Sequence, residues 1–183
     1  PGTDFDFIII DEDENHLQRG EIGQICIKSP ATMLHYFNNE EATKKTFTKD
    51  GYLKTGDLGY IDEDGFIFFK QRQKRVIKVS GVGVFPSEIE QLVGSVPGVT
   101  NCCAISIPDP KLVHAVKLFV VATYFDEEGM RRTIMDTCRK YLIRWSVPKE
   151  IEFVKELPMT MLGKVDFNKL QIAEDTKRGL LNE

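Results

Sequence analysis

Three separated stretches of this chain combine residue types able to hold phosphates, sugar hydroxyls or a passing ligand. In Gly51-Tyr52-Leu53-Lys54-Thr55-Gly56-Asp57-Leu58, the Thr-Gly-Asp step reads as a tight turn between strands that sets the Asp57 carboxylate at a sheet edge. An ionised carboxylate is an acceptor only, so one placed there can take both hydroxyls of a ribose. Between Arg72 and Glu90, Gly81 and Gly83 let the backbone pass close to a ligand because they carry no Cβ. The cluster Lys70, Arg72, Lys74 and Arg75 offers charge-assisted bonds to phosphate, although such a run is commonly a solvated face. In Leu157-Pro158-Met159-Thr160-Met161-Leu162-Gly163-Lys164-Val165-Asp166, proline and glycine hold an exposed loop from which Lys164 projects. Its ammonium, a compact charge on a long stem, suits a step in which anions must meet. Each stretch alone is weak evidence, since a turn, a strand end and a lone Gly-Lys all have ordinary structural readings.

The elements that must carry these residues fall into two composition regimes. Residues 1–70 read as short strands: Phe5–Asp11 before the acidic turn Asp11–Asn15, then Gln24–Lys28 with Ile25 and Ile27 on one face. Asn39 is placed to cap a short helix over Glu40–Phe47. Leu58–Ile61 and Phe66–Lys70 flank Asp62-Glu63-Asp64-Gly65, a hairpin signal because Asp-Gly tolerates positive φ. This half-buried piece has little room for a large core of its own. Residues 71–75 belong to a polar stretch, Lys70–Arg75, with little to bury, which reads as a hinge or linker between the two regimes.

Residues 76–183 read as a compact α+β domain, so the expected fold class is α+β: a strand-rich segment followed by a small domain. Ser87 and Glu90 have capping-box spacing at the start of a helix after Pro86. Val99–Ile107 and Ala115–Tyr124 read as buried strands. Asp126–Trp145 reads as a helix with Met130, Ile134, Cys138, Tyr141, Leu142 and Trp145 on its packed stripe, ended by Pro148. Glu150–Val154 reads as a strand, and the tail after Leu170 as polar and weakly helical.

Bulk composition narrows the field. The chain has 183 residues, 42% hydrophobic and 28% charged, with a net charge of −4. These are globular values that leave no electrostatic footprint for nucleic acid. No apolar run reaches the roughly 20 residues of a membrane helix, and the opening Pro1–Ile10 has no signal-peptide build. A start without methionine reads as a processed or trimmed piece. Cys26, Cys102, Cys103 and Cys138 lack metal-ligand spacing, Cys102 and Cys103 in their apolar stretch read as small buried hydrophobes, and the protein reads as reduced and cytoplasmic. His16, His35 and His114 are scattered without evident partners and are assigned surface or packing roles.

Taken jointly and in order, the three stretches resemble the adenylate-forming (AMP-binding) superfamily of acyl-CoA and aryl-CoA synthetases, adenylation domains and luciferase. Tyr52-Leu-Lys-Thr-Gly-Asp57-Leu is similar to its aspartate motif. Gln71–Lys74, Lys78-Val-Ser-Gly81 and Phe85-Pro-Ser-Glu-Ile-Glu90 resemble its hinge and following loop, and Leu157–Lys164 its terminal lysine motif. Gly20–Phe47 is similar to a further stretch of the family. Departures are Gln71 for the usual glycine, Gln24 for glutamate, His35 for glycine, Glu40 for proline, Val113-His114 for Gly-Glu, and Ser146 for lysine.

The resemblance implies a carboxy-terminal part of an ATP-dependent acid–thiol ligase. In such an enzyme a carboxylate attacks the α-phosphate of ATP, and CoA or a carrier phosphopantetheine then takes the acyl group. It assigns Lys164 to catalysis of the first step, Asp57 to the ribose hydroxyls, Arg72 to ribose or phosphate, Lys74 to the hinge and Gly81 to the thiol channel. Mg2+ would accompany ATP. Residues 1–70 would end a large upstream domain and 76–183 would form a mobile lid; the phosphate loop and acid pocket would lie before Pro1. A ligase loading D-alanine or another amino acid onto a carrier protein, and a non-catalytic module of the same fold, are the alternatives.

Overall fold

A computed structural model describes residues 4–123 and 126–180, which form two units, Pro1–Arg75 and Val76–Glu183. The readings placed on residues 1–3 and on Tyr124 lie outside the described residues.

In the first unit, β1 (Asp6–Ile10), β2 (Gly23–Lys28), β3 (Leu53–Ile61) and β4 (Ile67–Arg72) form an antiparallel meander in chain order. Ile9, Ile10, Ile25 and Cys26 make its small buried core. Helix α1 (Glu40–Thr46) begins at the expected cap: Ala42 N donates to the Asn39 side chain at 2.9 Å. Glu40 and Glu41 in its first turn and Lys44 and Lys45 in its last suit the helix dipole. The Asp62–Gly65 hairpin also forms, with Phe66 N donating to the Asp62 carboxylate at 2.8 Å.

Two readings fail here. Thr55-Gly56-Asp57 is not a turn, because β3 continues through it. The polar stretch before Val76 is not free of burial: Lys70-Gln71-Arg72 completes β4, and Gln71 is 3% exposed. Strand pairing with β3 turns Gln71 inward, opposite Leu58, while its neighbours stay outward. His16 also has a partner, its Nε2 standing 3.4 Å from Asp50 Oδ2.

The second unit is built on a three-stranded sheet in the order β7-β8-β9. Strands β7 (Val99–Asp109) and β8 (Val113–Ala122) are antiparallel, and β9 (Glu150–Phe153) joins β8 in parallel. A hairpin of β5 (Ile77–Val79) and β6 (Val82–Val84) leads into α2 (Pro86–Gly94). Alternation along β7 sends Cys102 and Ala104 into one core and Cys103 and Ile105 into another. The first core holds Ile89 and Val93 of α2 with Ile134 and Cys138 of α3 (Glu127–Tyr141). The second packs Leu157, Val165, Phe167 and Leu170 against Phe119. Both sheet faces are therefore covered, and the architecture is α+β.

Local readings are corrected in this unit too. Phe85 is the N-cap residue of α2 and Pro86 its first position, so Ser87 sits inside the helix and is not its cap. Glu90 instead accepts Ala104 N at 2.9 Å and ties α2 to the sheet. Helix α3 ends at Tyr141, before a single 3-10 turn over Arg144–Ser146. The chain must extend there to reach β9, where Lys149 N donates to Val116 O at 2.8 Å. Tyr141 is consequently 63% exposed and off the packed stripe. The tail is helical as expected, and α4 (Phe167–Lys177) buries one polar residue, Glu174.

Candidate functional site

Asp57 owes its position to a distortion of β3. Gln24 pairs with Leu58 and Cys26 with Lys54, so Thr55, Gly56 and Asp57 together oppose Ile25 alone. Gly56 absorbs this bulge at φ +73°, a conformation that costs other residues about 1 kcal/mol. Thr55 closes it: its hydroxyl donates to Ile25 O at 2.7 Å and accepts Asp57 N at 3.1 Å. Thr55 was missed as a site residue, and its signal was a β-branched hydroxyl directly before Gly-Asp.

The bulge brings Asp57 opposite Arg72 of β4. Arg72 Nε stands 3.0 Å from Asp57 Oδ1, and Arg72 Nη1 donates to Thr55 O at 3.4 Å. Oδ1 is buried beneath this ion pair, while the Asp57 side chain as a whole stays partly exposed. Beside the pair opens a hollow of about 410 Å³ lined by Gly56, Arg72, Gln73 and Lys74. The structure thus brings Asp57, Arg72 and Lys74 to one place, with two cationic side chains next to a carboxylate that has accepting capacity to spare.

Gly81 lies in the second unit, at the tip of the β5–β6 hairpin. Ser80 (φ +49°) and Gly81 (φ +82°) are the two central residues, the signature of a type I′ turn. A Cβ on Gly81 would meet nothing within 4 Å, so backbone conformation, not crowding, explains the glycine and leaves its outer side open. Ser80 N donates to Leu112 O at 3.0 Å, which docks this turn against the loop before β8.

Lys164 lies on a separate loop of the same unit. Met159 bridges to Val165; Thr160 N donates to Lys164 O at 2.7 Å and Gly163 N to Thr160 O at 3.0 Å. With Gly163 at φ +74°, this is a tight three-residue hairpin loop. Buried Leu157 and the packed Val165 and Phe167 fix its base on the sheet. Lys164 itself is exposed, and among the described residues no hydrogen bond or ion pair holds its ammonium.

A second constellation escaped the sequence reading. Lys117, 3% exposed in the middle of β8, places Nζ 2.8 Å from both Glu174 carboxylate oxygens and 2.7 Å from Glu152. Arg178 bridges Glu174 and Glu150 at 2.6 Å each. Burial draws the Lys117 pKa down, but its bonds to Glu152 and Glu174 outweigh this and leave it raised. Burial pushes Glu174 up, and its bonds to Lys117 and Arg178 bring it below the ordinary glutamate value. The signal was a lone lysine inside an apolar run. Burial also pushes the thiols up, Cys26 and Cys138 to about 11 and Cys102 to about 12. All four cysteines are free and buried, so they act as packing groups.

Comparison with known proteins puts these features in a family. The family described as AMP-binding enzyme C-terminal domain matches residues 88–164. The long-chain-fatty-acid–CoA ligase of Salmonella typhimurium is 40% identical over 157 residues, covering 86% of this chain and 28% of that protein. The ATP-bound RpMatB-BxBclM chimera B3 superposes with a TM-score of 0.86 at 31% identity, covering 95% of this chain and 35% of the chimera. The anthranilate CoA ligase AuaEII in complex with anthranoyl-AMP does so at 0.85 and 31% identity, covering 98% and 35%. The chain therefore spans about a third or less of the length of these relatives. It belongs to the adenylate-forming, AMP-binding enzyme family, and within it residues 88–164 correspond to the C-terminal domain.

Proposed function

We propose that this chain is the C-terminal portion of an ATP-dependent acyl-CoA synthetase, which forms an acyl-adenylate and then a thioester with CoA. The observation that carries the reading is the Asp57–Arg72 ion pair, with Arg72 and Lys74 lining an open hollow. The partly exposed Asp57 carboxylate can accept from a vicinal diol, and Arg72 supplies charge for a ribose or phosphate oxygen. Lys164 bridges the attacking carboxylate and the α-phosphate, neutralising charge where two anions converge. Its exposed position on a braced hairpin supports that role.

The lysine serves only the first step and would crowd a thiol's approach. Residues 71–75, with Lys74 as pivot, act as the hinge between the end of a large upstream domain and a mobile lid formed by residues 76–183. Turning about it withdraws Lys164 and presents the open side of the Gly81 turn to the pantetheine arm. The acid pocket and the phosphate loop are contributed by the upstream domain. Mg2+ would accompany ATP, held mainly by its phosphates. The acceptor is CoA and not a carrier protein, in line with the names of the relatives. No helix of the described residues is long and apolar enough to cross a membrane, and four free thiols fit a reducing, cytoplasmic setting.

The test is Lys164→Ala in the full-length enzyme. Acid-dependent ATP–pyrophosphate exchange should fall by a factor of about 100 or more, while thioester formation from preformed acyl-adenylate persists. Undiminished exchange would show instead that the chain is a non-catalytic module of this fold.

A further inference from the structure

The loop that carries Lys164 has a tip at odds with local turn chemistry. Met161 and Leu162 occupy the two central positions of a tight turn, where polar residues, proline or glycine are the rule. Met161 is 105% exposed relative to its reference and Leu162 88%, and Met159 at the base of the turn is 51% exposed. Neither the turn geometry nor any core contact calls for apolar side chains here. The loop does not collapse to bury them, because its base is fastened by Leu157, Val165 and Phe167 against the sheet. The fold thus holds three apolar groups in water within five residues of an unpaired ammonium.

We propose that Met161 and Leu162 form a docking tip that seats in an apolar recess of the upstream part of the same enzyme, and so fixes Lys164 at the reacting carboxylate. The inference rests on the proposed ligase reading. The occupant is identified by chemistry and by chain length. A lysine that must reach a site built by other parts of the protein needs an anchor on those parts. Relatives of this build are more than three times as long as the segment matched here, so they contain ample chain to provide one. Burying two such side chains releases enough free energy to set the population of the docked state, and the contact must be broken before the thiol can enter. Met161 and Leu162 are therefore positioning residues that act through Lys164. They bias the lid toward acid activation without touching the reacting atoms.

The experiment uses the full-length enzyme carrying Met161→Ser with Leu162→Ser, the conservative Met161→Leu with Leu162→Met, and Lys164→Ala. Acid-dependent pyrophosphate exchange should fall about ten-fold or more in the serine pair, mainly through kcat, and recover in the conservative pair. Thioester formation from preformed acyl-adenylate should stay unchanged, because the tip is undocked in that step. Full exchange activity in the serine pair, with Lys164→Ala inactive, overturns the docking tip and leaves the ligase reading standing. Full activity in Lys164→Ala overturns the ligase reading itself. If the serine pair loses both half-reactions equally, or loses self-association or binding to neutral phosphatidylcholine vesicles in place of exchange activity, the tip serves another surface and the proposal falls.

Discussion

Two single residues show how far backbone conformation steers this chain. At Gly56 a positive φ lets β3 carry three residues past one and turn the Asp57 carboxylate toward Arg72. At Val113 the same kind of backbone is imposed on a β-branched side chain, with φ +68°. Val113 is 69% exposed, so it gains little packing in return for that strain. It stands where the resembling family carries glycine, and the positive φ gives the physical reason for a glycine there. Val113→Gly should therefore raise stability by about 1 kcal/mol in urea denaturation. An unchanged or lower midpoint would show that the loop relaxes without cost. Asp109, at the foot of the same loop, accepts Lys149 Nζ together with Lys111 N at 2.8 Å and Leu112 N at 2.9 Å. Its carboxyl is held down at about 2, mainly by the Lys149 bond. The contribution of this cluster is present above the unfolded value of 3.8 and is lost as pH falls toward 2.

At the scale of elements, the Lys117 network decides where α4 lies. Lys117 of β8 and Glu174 of α4 are 57 positions apart, and their pairing clamps the helix that follows the Lys164 loop onto the sheet. Lys117→Met would leave Glu174, 4% exposed, without its main cation. Because Glu150 and Glu152 are about 40% exposed and still hydrated, the loss should sit at the lower end for a buried pair, about 3 kcal/mol. Equilibrium unfolding would measure it, and adding Glu174→Leu should restore part of the loss. A single replacement without effect would mean that the network is solvated in solution. The pH dependence follows in sign. Glu152, lowered chiefly by its bond to Lys117, and Glu174, lowered by its bonds despite burial, stabilise the fold above their ordinary 4.5. That contribution is lost as pH drops below this value through their folded pKa values. Lys117 is raised, so its contribution is intact below 10.5 and disappears only above it.

Over the whole molecule, the two units differ in what they can bury. Val76–Glu183 has cores on both faces of its sheet, whereas the first unit buries only a handful of apolar side chains. The first unit also leaves Leu34, Phe37, Phe66 and Phe69 at least 60% exposed. Residues 76–183 expressed alone should melt in one cooperative transition by circular dichroism, while residues 1–75 alone should show none. A cooperative transition in the shorter piece would argue that its sheet needs no neighbour.

Much of the fold and of the candidate site was legible because it is local. Asn39 capping α1, the Asp-Gly hairpin, the turn that carries Lys164 and the apolar stretches of β7 and β8 each depend on residues a few positions apart. What sequence alone determined was therefore the period of the elements, their punctuation and the order of three motifs whose chemistry is joint. Tertiary structure alone decided that Thr-Gly-Asp is a bulged strand, that Glu90 bonds the sheet, that α3 stops at Tyr141, and that Lys117 is buried. Each of those outcomes is set by a partner far along the chain, through strand register or charge pairing, and local propensity is too weak to oppose it.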